Sequence, residues 1–189
     1  LHDLGIVQML HQGKAKLCAM NPDNPMTASL LALGSAQRTD SFIRSDYALG
    51  NLFKKIRDRI TELNSHCLSS AILLTPESLK DALTYQQNYI TPETETDLNL
   101  AIDFFFIKSN DDFDEERTEN AISSLLPPGL TISLTSMTVD RDTLLGMLTE
   151  NENEAGLAAY GMLHHGITLF GFENFYSIVL EAFARKLAS

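Results

Sequence analysis

Cysteine is nearly absent from this chain. Its 189 residues hold only Cys18 and Cys67, far apart and without a C-x-x-C partner or a histidine-rich neighbourhood. That scarcity argues against a disulfide-stapled framework or a thiolate metal centre, and the expected setting is a reducing, cytoplasmic one with both thiols structural. Long apolar runs are missing too. No window approaches the roughly 18 consecutive apolar residues of a membrane span, and the opening stretch "LHDLGIVQMLHQGKAKLC" is too charged for a secretory core, so neither a span nor a signal peptide is expected. Basic residues are few: 14 Lys and Arg stand against 25 Asp and Glu, a formal net charge of -11. Such a field repels phosphate backbones, which excludes bulk nucleic acid as a partner. The one basic cluster, "KKIRDR" at 54–59, lies on a helix whose apolar face is Leu52, Phe53, Ile56, Ile60 and Leu63, and reads as a solvated flank. Repeats and low-complexity tracts are absent, and the acids from Asp111 to Glu119 lack EF-hand spacing.

What is present describes a foldable domain. A composition of 44% hydrophobic and 21% charged residues suits one α+β or α/β unit able to bury its own core. The amino-terminal stretch reads as a helix through about Met20, broken by "NPDNP". "ASLLALG", residues 28–34, is short and almost continuously apolar, as expected of a strand buried on both faces, and "SDYAL" at 45–49 reads as a second short extended segment. A helix then covers 51–64, "SSAILL" forms a strand, and Thr75-Pro76 opens another helix. A polar loop in the 90s leads to "LNLAIDFFFIK", the strongest strand, carrying the single acid Asp103. An acid-capped helix follows, then the strand "LTISLTSMTV". The remainder is mostly helical apart from "ITLFG", and ends in a helix from about Phe172 to Leu187. The expected fold is α+β, a mixed sheet flanked by helices. Residues 1–139 are expected to form the core and 140–189 a helical element packed on it.

One short run bears on chemistry. "LLALGSAQRTDSFIRSDYALG", residues 30–50, places Gly34-Ser35 after an apolar segment and Ser45-Asp46 at the next. A glycine at a strand end lets backbone approach a ligand, and serine beside it offers an amide and a hydroxyl to phosphate. The run resembles the signature of the nucleotidyltransferase superfamily, Gly-Ser, a spacer, then Asp-x-Asp, and is similar to its bacterial protein adenylyl- and uridylyltransferase branch. Gly34, Ser35, Arg38, Asp40, Ser45 and Asp46 match that branch, "LAIDFFFI" looks like the strand of its third carboxylate, and "HHGITLFG" is similar to a later strand segment.

The resemblance implies a nucleotidyltransferase-like fold in which Gly34, Ser35 and Arg38 bind the nucleotide's phosphates. Asp46 and Asp103 would then be catalytic and would hold Mg²⁺ or Mn²⁺. It further implies transfer of a nucleoside monophosphate, AMP from ATP in the first instance, to a hydroxyl of a protein or small-molecule acceptor by a two-metal mechanism. The sequence departs from the pattern at Ala48, where the second carboxylate belongs, because a methyl group cannot bind a metal ion. Ala48 is either an engineered truncation of an enzyme or the mark of a decayed member that binds nucleotide or a partner without chemistry. An interaction domain using the carboxy-terminal helix is a third reading. Singly, each residue also has an ordinary role: a Gly-Ser pair in a loop, an Asp as a turn residue, a buried Asp bonded to a neighbour. His164 and His165 read as helix-end or surface residues.

Overall fold

The computed structural model describes residues 1–12, 14–89, 99–127, 131–149 and 161–188. Its elements are β1 (Val7–Gln12), β2 (Ala15–Met20), α1 (Pro25–Arg44), α2 (Tyr47–Asn64), β3 (Leu68–Leu73) and α3 (Pro76–Tyr89). There follow β4 (Asn99–Lys108), α4 (Glu115–Ser123), β5 (Thr131–Asp140), α5 (Arg141–Thr149), β6 (Ile167–Phe170) and α6 (Phe172–Ala188). The apolar β4 is the centre of a four-stranded sheet of order β5-β4-β3-β6. β4 and β5 run parallel and are joined through α4, as a parallel pair requires a crossover, whereas β3 is antiparallel to both β4 and β6. The fold is α+β: a mixed sheet flanked by helices.

Strand alternation divides the core into two layers. Ile102, Phe104 and Phe106 of β4 face α2, α3 and α4, meeting Phe53, Ile56, Ile60, Leu79 and Ile122. Phe105 and Ile107 face the other way, onto Leu144, Leu148, Phe175 and Ile178 of α5 and α6. The three consecutive phenylalanines are at most 1% exposed, so each contributes about 1.5–3 kcal/mol of burial, divided between the two layers. Residues beyond 139 help to complete this architecture, since β6 pairs with β3 while α5 and α6 build the second layer. Among the described residues no helix is long and apolar enough to cross a membrane.

Three segments differ from the sequence expectation. The expected amino-terminal helix is a hairpin, β1 paired antiparallel with β2 from Val7↔Met20 to Gln12↔Ala15. The expected strand at 28–34 lies inside α1, whose start is specified by Asn24, which accepts from the Met26 amide at 2.9 Å, and by Pro25 in the first turn. The buried positions of α1 are Thr27, Ala32, Ser35 and Thr39, which follow helical spacing but are small or polar. Hydrophobicity alone therefore hides the period. The expected extended segment at 45–49 is the start of α2: only Asp46 is extended, at φ −151° and ψ 137°, and the chain turns helical at Tyr47. The two helices then pack at their junction through Phe42 and Phe53, with ring centroids 5.7 Å apart. The polar loop expected in the 90s falls mainly on residues 90–98, outside the described residues.

Candidate functional site

The side chains of the Gly-Ser run have a definite task in α1. Thr39 Oγ1 donates to the carbonyl of Thr168 at 3.0 Å, Ser35 Oγ lies 3.4 Å from Thr168 Oγ1, and Arg38 donates to the carbonyls of Gly166 and His164. These partners lie on β6 and the segment leading into it. Serine, arginine and threonine thus occupy groups that an open sheet edge would leave to water. Gly34 points the other way. It is exposed, and a Cβ built there meets nothing within 4 Å. The phosphate-binding turn expected at Gly34 and Ser35 is therefore not formed: a strand-end turn would leave amides free, whereas helix α1 uses those amides internally and buries the Ser35 side chain.

Asp46 and Asp103 are likewise apart in purpose. Asp46 is the amino-terminal cap of α2, its carboxylate accepting from the Leu49 amide at 2.9 Å, on the α2 and α3 side of the sheet. Asp103 alternates with Ile102 and Phe104 and shares the opposite face with Phe105, where its carboxylate accepts from Thr135 Oγ1 on β5. Alternation correctly places Asp103 on the face of Phe105, but that face looks away from Asp46. The expected shared opening of Asp46, Ser35 and Asp103 is not assembled. Two carboxylates on opposite sides of a sheet cannot share a metal ion, so these residues do not fit the Mg²⁺ or Mn²⁺ pair that the resemblance implies. Among the described residues no group of three His, Cys, Asp or Glu side chains is placed to hold a metal. Ala48 lies in the first turn of α2, beside the Asp46 cap.

Of the nucleotide-binding set, Arg38 does border a cavity. A cleft of about 660 Å³ opens between the second half of α1, the start of α3 and the residues before β6, lined by Arg38, Ser41, Glu77, Lys80, His164 and His165 among others. The β3–α3 junction is anchored from below. The Leu74 amide donates to the Asp103 carbonyl at 2.8 Å, and Thr75 Oγ1 accepts from the Asp103 amide at 2.9 Å. With its hydroxyl turned to β4, Thr75 does not cap its own helix, and among the described residues no side chain caps the first amides of α3. Those amides and the helix dipole add positive potential to the cations. His164 and His165 are exposed, with ring centroids 6.3 Å apart. A chain of net charge -11 thus concentrates two cations, two imidazoles and an open helix start around one cavity, with a single carboxylate against them. Such a surface can take an oxyanion.

Lys80 carries no motif signal in the sequence, and His164 and His165, which read there as helix-end or surface residues, line the same cleft. The signal for the α3 start was legible in Thr75-Pro76, but that the Thr75 hydroxyl is taken by β4 depends on strand pairing. The basic cluster at 54–59 sits on the outer flank of α2, where Arg57 pairs with Asp58 and Arg59 with Glu62. Both thiols are free, Cys67 buried and Cys18 exposed. No protein-family model, curated protein or solved structure matches the chain.

Proposed function

We propose that this chain is a non-catalytic binding or regulatory module for a phosphate-bearing small molecule, a nucleotide in the simplest case, held in the cleft between α1 and α3. The observation that carries the reading is the placement of Arg38 and Lys80 on the walls of one 660 Å³ cavity beside the uncapped start of α3, in an otherwise acidic protein. Lys80 supplies an ammonium free of any ion pair among the described residues, and Arg38 keeps N–H groups beyond those spent on Gly166 and His164. Ala48 agrees with a module that does no chemistry. Nucleotidyl transfer from ATP to an acceptor hydroxyl is the reading of the motif run; it needs the Asp46 and Asp103 carboxylates to converge, and for that reason binding without transfer is preferred.

Thermal melts with ATP, AMP and inorganic phosphate, each with and without Mg²⁺, test the proposal. A ligand at about 100 times its dissociation constant raises stability by about 2.7 kcal/mol. Stabilisation is expected without Mg²⁺, to be reduced by Lys80→Ala, and to be unchanged by Ala48→Asp. Absence of a shift with every anion sinks the binding reading. A shift that needs Mg²⁺, grows in Ala48→Asp and vanishes in Asp103→Asn restores the transferase.

A further inference from the structure

The two edges of the main sheet are finished differently. β6 is shielded by α1 through Arg38 and Thr39, as described above, whereas β5 spans ten residues and among the described residues no strand pairs with its outer edge. From Thr131 to Val139 it contains neither a charged residue nor a proline, the usual devices that keep an open edge from pairing. Its side chains on the α4 face form a gradient. Ile132 and Leu134 are apolar, while Ser136 and Thr138 donate their hydroxyls to the half-buried Glu115 and Glu119 of α4. Ser136 lies against both carboxylates with one proton to give, so this end of the edge carries unbalanced negative charge.

The β1–β2 hairpin has the opposite character. It forms its own two-stranded sheet, and its base is tied to the start of α1 by Asn21 Nδ2 on the Gly5 carbonyl at 2.7 Å and Asn24 Nδ2 on the Leu4 carbonyl at 2.9 Å. A two-stranded ribbon alone is marginally stable. Residues 4–22 include His11, Lys14 and Lys16 and no acid, in a protein of net charge -11. On one face of β2 lie Lys16, Cys18 and Met20, grading from basic to apolar.

We propose that the open edge of β5 receives β2 from a second copy of this chain, antiparallel, with Met20 toward Ile132 and Leu134 and Lys16 toward Glu115 and Glu119. Antiparallel addition aligns both gradients, cation on carboxylates and apolar on apolar; parallel addition opposes them. Reciprocal exchange of the two arms closes a two-fold dimer. Direct pairing of β5 with its own copy brings the acids of two α4 helices together instead, which like-charge repulsion disfavours.

Sedimentation velocity over a range of protein concentrations decides the matter. A concentration-dependent dimer is expected, weakened by added salt. Lys16→Glu and Glu119→Lys should each weaken it by at least about fivefold, and the two together should recover it. Cys18→Asp, on the exposed arm, serves as a second disrupting variant should Glu119→Lys lose its fold, with far-UV circular dichroism as the control. A monomer at every concentration overturns the proposal, as does a dimer that ignores Lys16→Glu and Cys18→Asp. A dimer strengthened by Glu119→Lys alone assigns the edge to β5 self-pairing and also overturns it.

Discussion

Replacing Gly34 by alanine separates the two possible structures of the Gly-Ser run by the sign of a stability change. In α1 Gly34 occupies the helix interior, exposed, and beyond its chain neighbours and the adjoining helix backbone no atom lies within 4 Å of the position a Cβ would take. Nothing must move to admit the methyl group. The change then reduces to intrinsic preference: glycine is about 0.8–1 kcal/mol worse than alanine in a helix interior, chiefly because it loses more backbone freedom on folding. Measured gains at compatible sites run from about 0.4 to 1 kcal/mol. For a chain of this length 1 kcal/mol moves the melting temperature by roughly 2–4 °C, so Gly34→Ala should melt about 1–4 °C higher, with an unchanged urea m-value. Gly146, in α5, has an equally open surround, and Gly146→Ala should respond with the same sign, which calibrates the scale. If Gly34 instead closed a strand and approached a phosphate, alanine would cost stability and abolish anion binding. A Gly34→Ala protein destabilised by 1 kcal/mol or more, beside a stabilised Gly146→Ala, would refute the helical placement of the motif and with it the assignment of Ser35, Arg38 and Thr39 to the sheet edge.

Other perturbations have equally definite outcomes. Asp46→Ala should lose about 1 kcal/mol in urea denaturation and Asp46→Ser should recover most of it, because the position needs a capping oxygen and not a metal-binding carboxylate; anion binding should be the same in both. Gly171 has φ +72°, and an added Cβ would lie 2.0 Å from the Ser69 carbonyl oxygen and 2.7 Å from Ser70 Cα, both backbone atoms of β3. Gly171→Ala should therefore cost roughly 2–5 kcal/mol, combining left-handed strain with overpacking, read as a lower urea midpoint. Asp140 accepts from the Thr143 amide at 2.7 Å, and this bond, supported by the Thr143 hydroxyl and by Lys108, holds its carboxyl below the usual carboxylate range. Since the folded-state value is the lower one, the stabilisation is complete above the unfolded value and disappears as pH falls through the folded one. Asp140→Asn should accordingly lower the melting temperature at neutral and alkaline pH, leave it unchanged at pH below the folded value, and so flatten the acid side of the profile.

Local pattern is enough to read β3, β4, β5, β6, the helices α3 to α6 and α2 beyond its first turn, because each declares itself within about ten residues. β4 is an apolar run from Leu100 to Ile107 interrupted only by Asp103, α3 opens on Thr75-Pro76, and α4 opens on Asp114, whose carboxylate accepts from the Arg117 amide at 2.9 Å. The mixed α+β class follows from those elements in order. α1 escaped the same reading because its buried side is made of Thr27, Ala32, Ser35 and Thr39, which neither look hydrophobic nor repeat visibly, while its apolar Leu33 is 56% exposed. The helix owes that inverted pattern to its position at the edge of the sheet, where polar side chains meet backbone carbonyls of β6 and of the segment leading into it.

Sequence alone also determined that Asp103 shares a strand face with Phe105, since alternation is a property of a single strand. Which helices cover that face, and so whether the carboxylate meets Asp46, is decided by how the strands order and which layer each connection joins. Likewise Arg38 and Lys80 are 42 positions apart, and only the packing of α1 and α3 around the ends of β3 and β6 turns them into walls of one cleft. Caps and periodicities are set by neighbours along the chain, whereas a site is set by neighbours across it, and that long-range arrangement comes from the burial of the whole core.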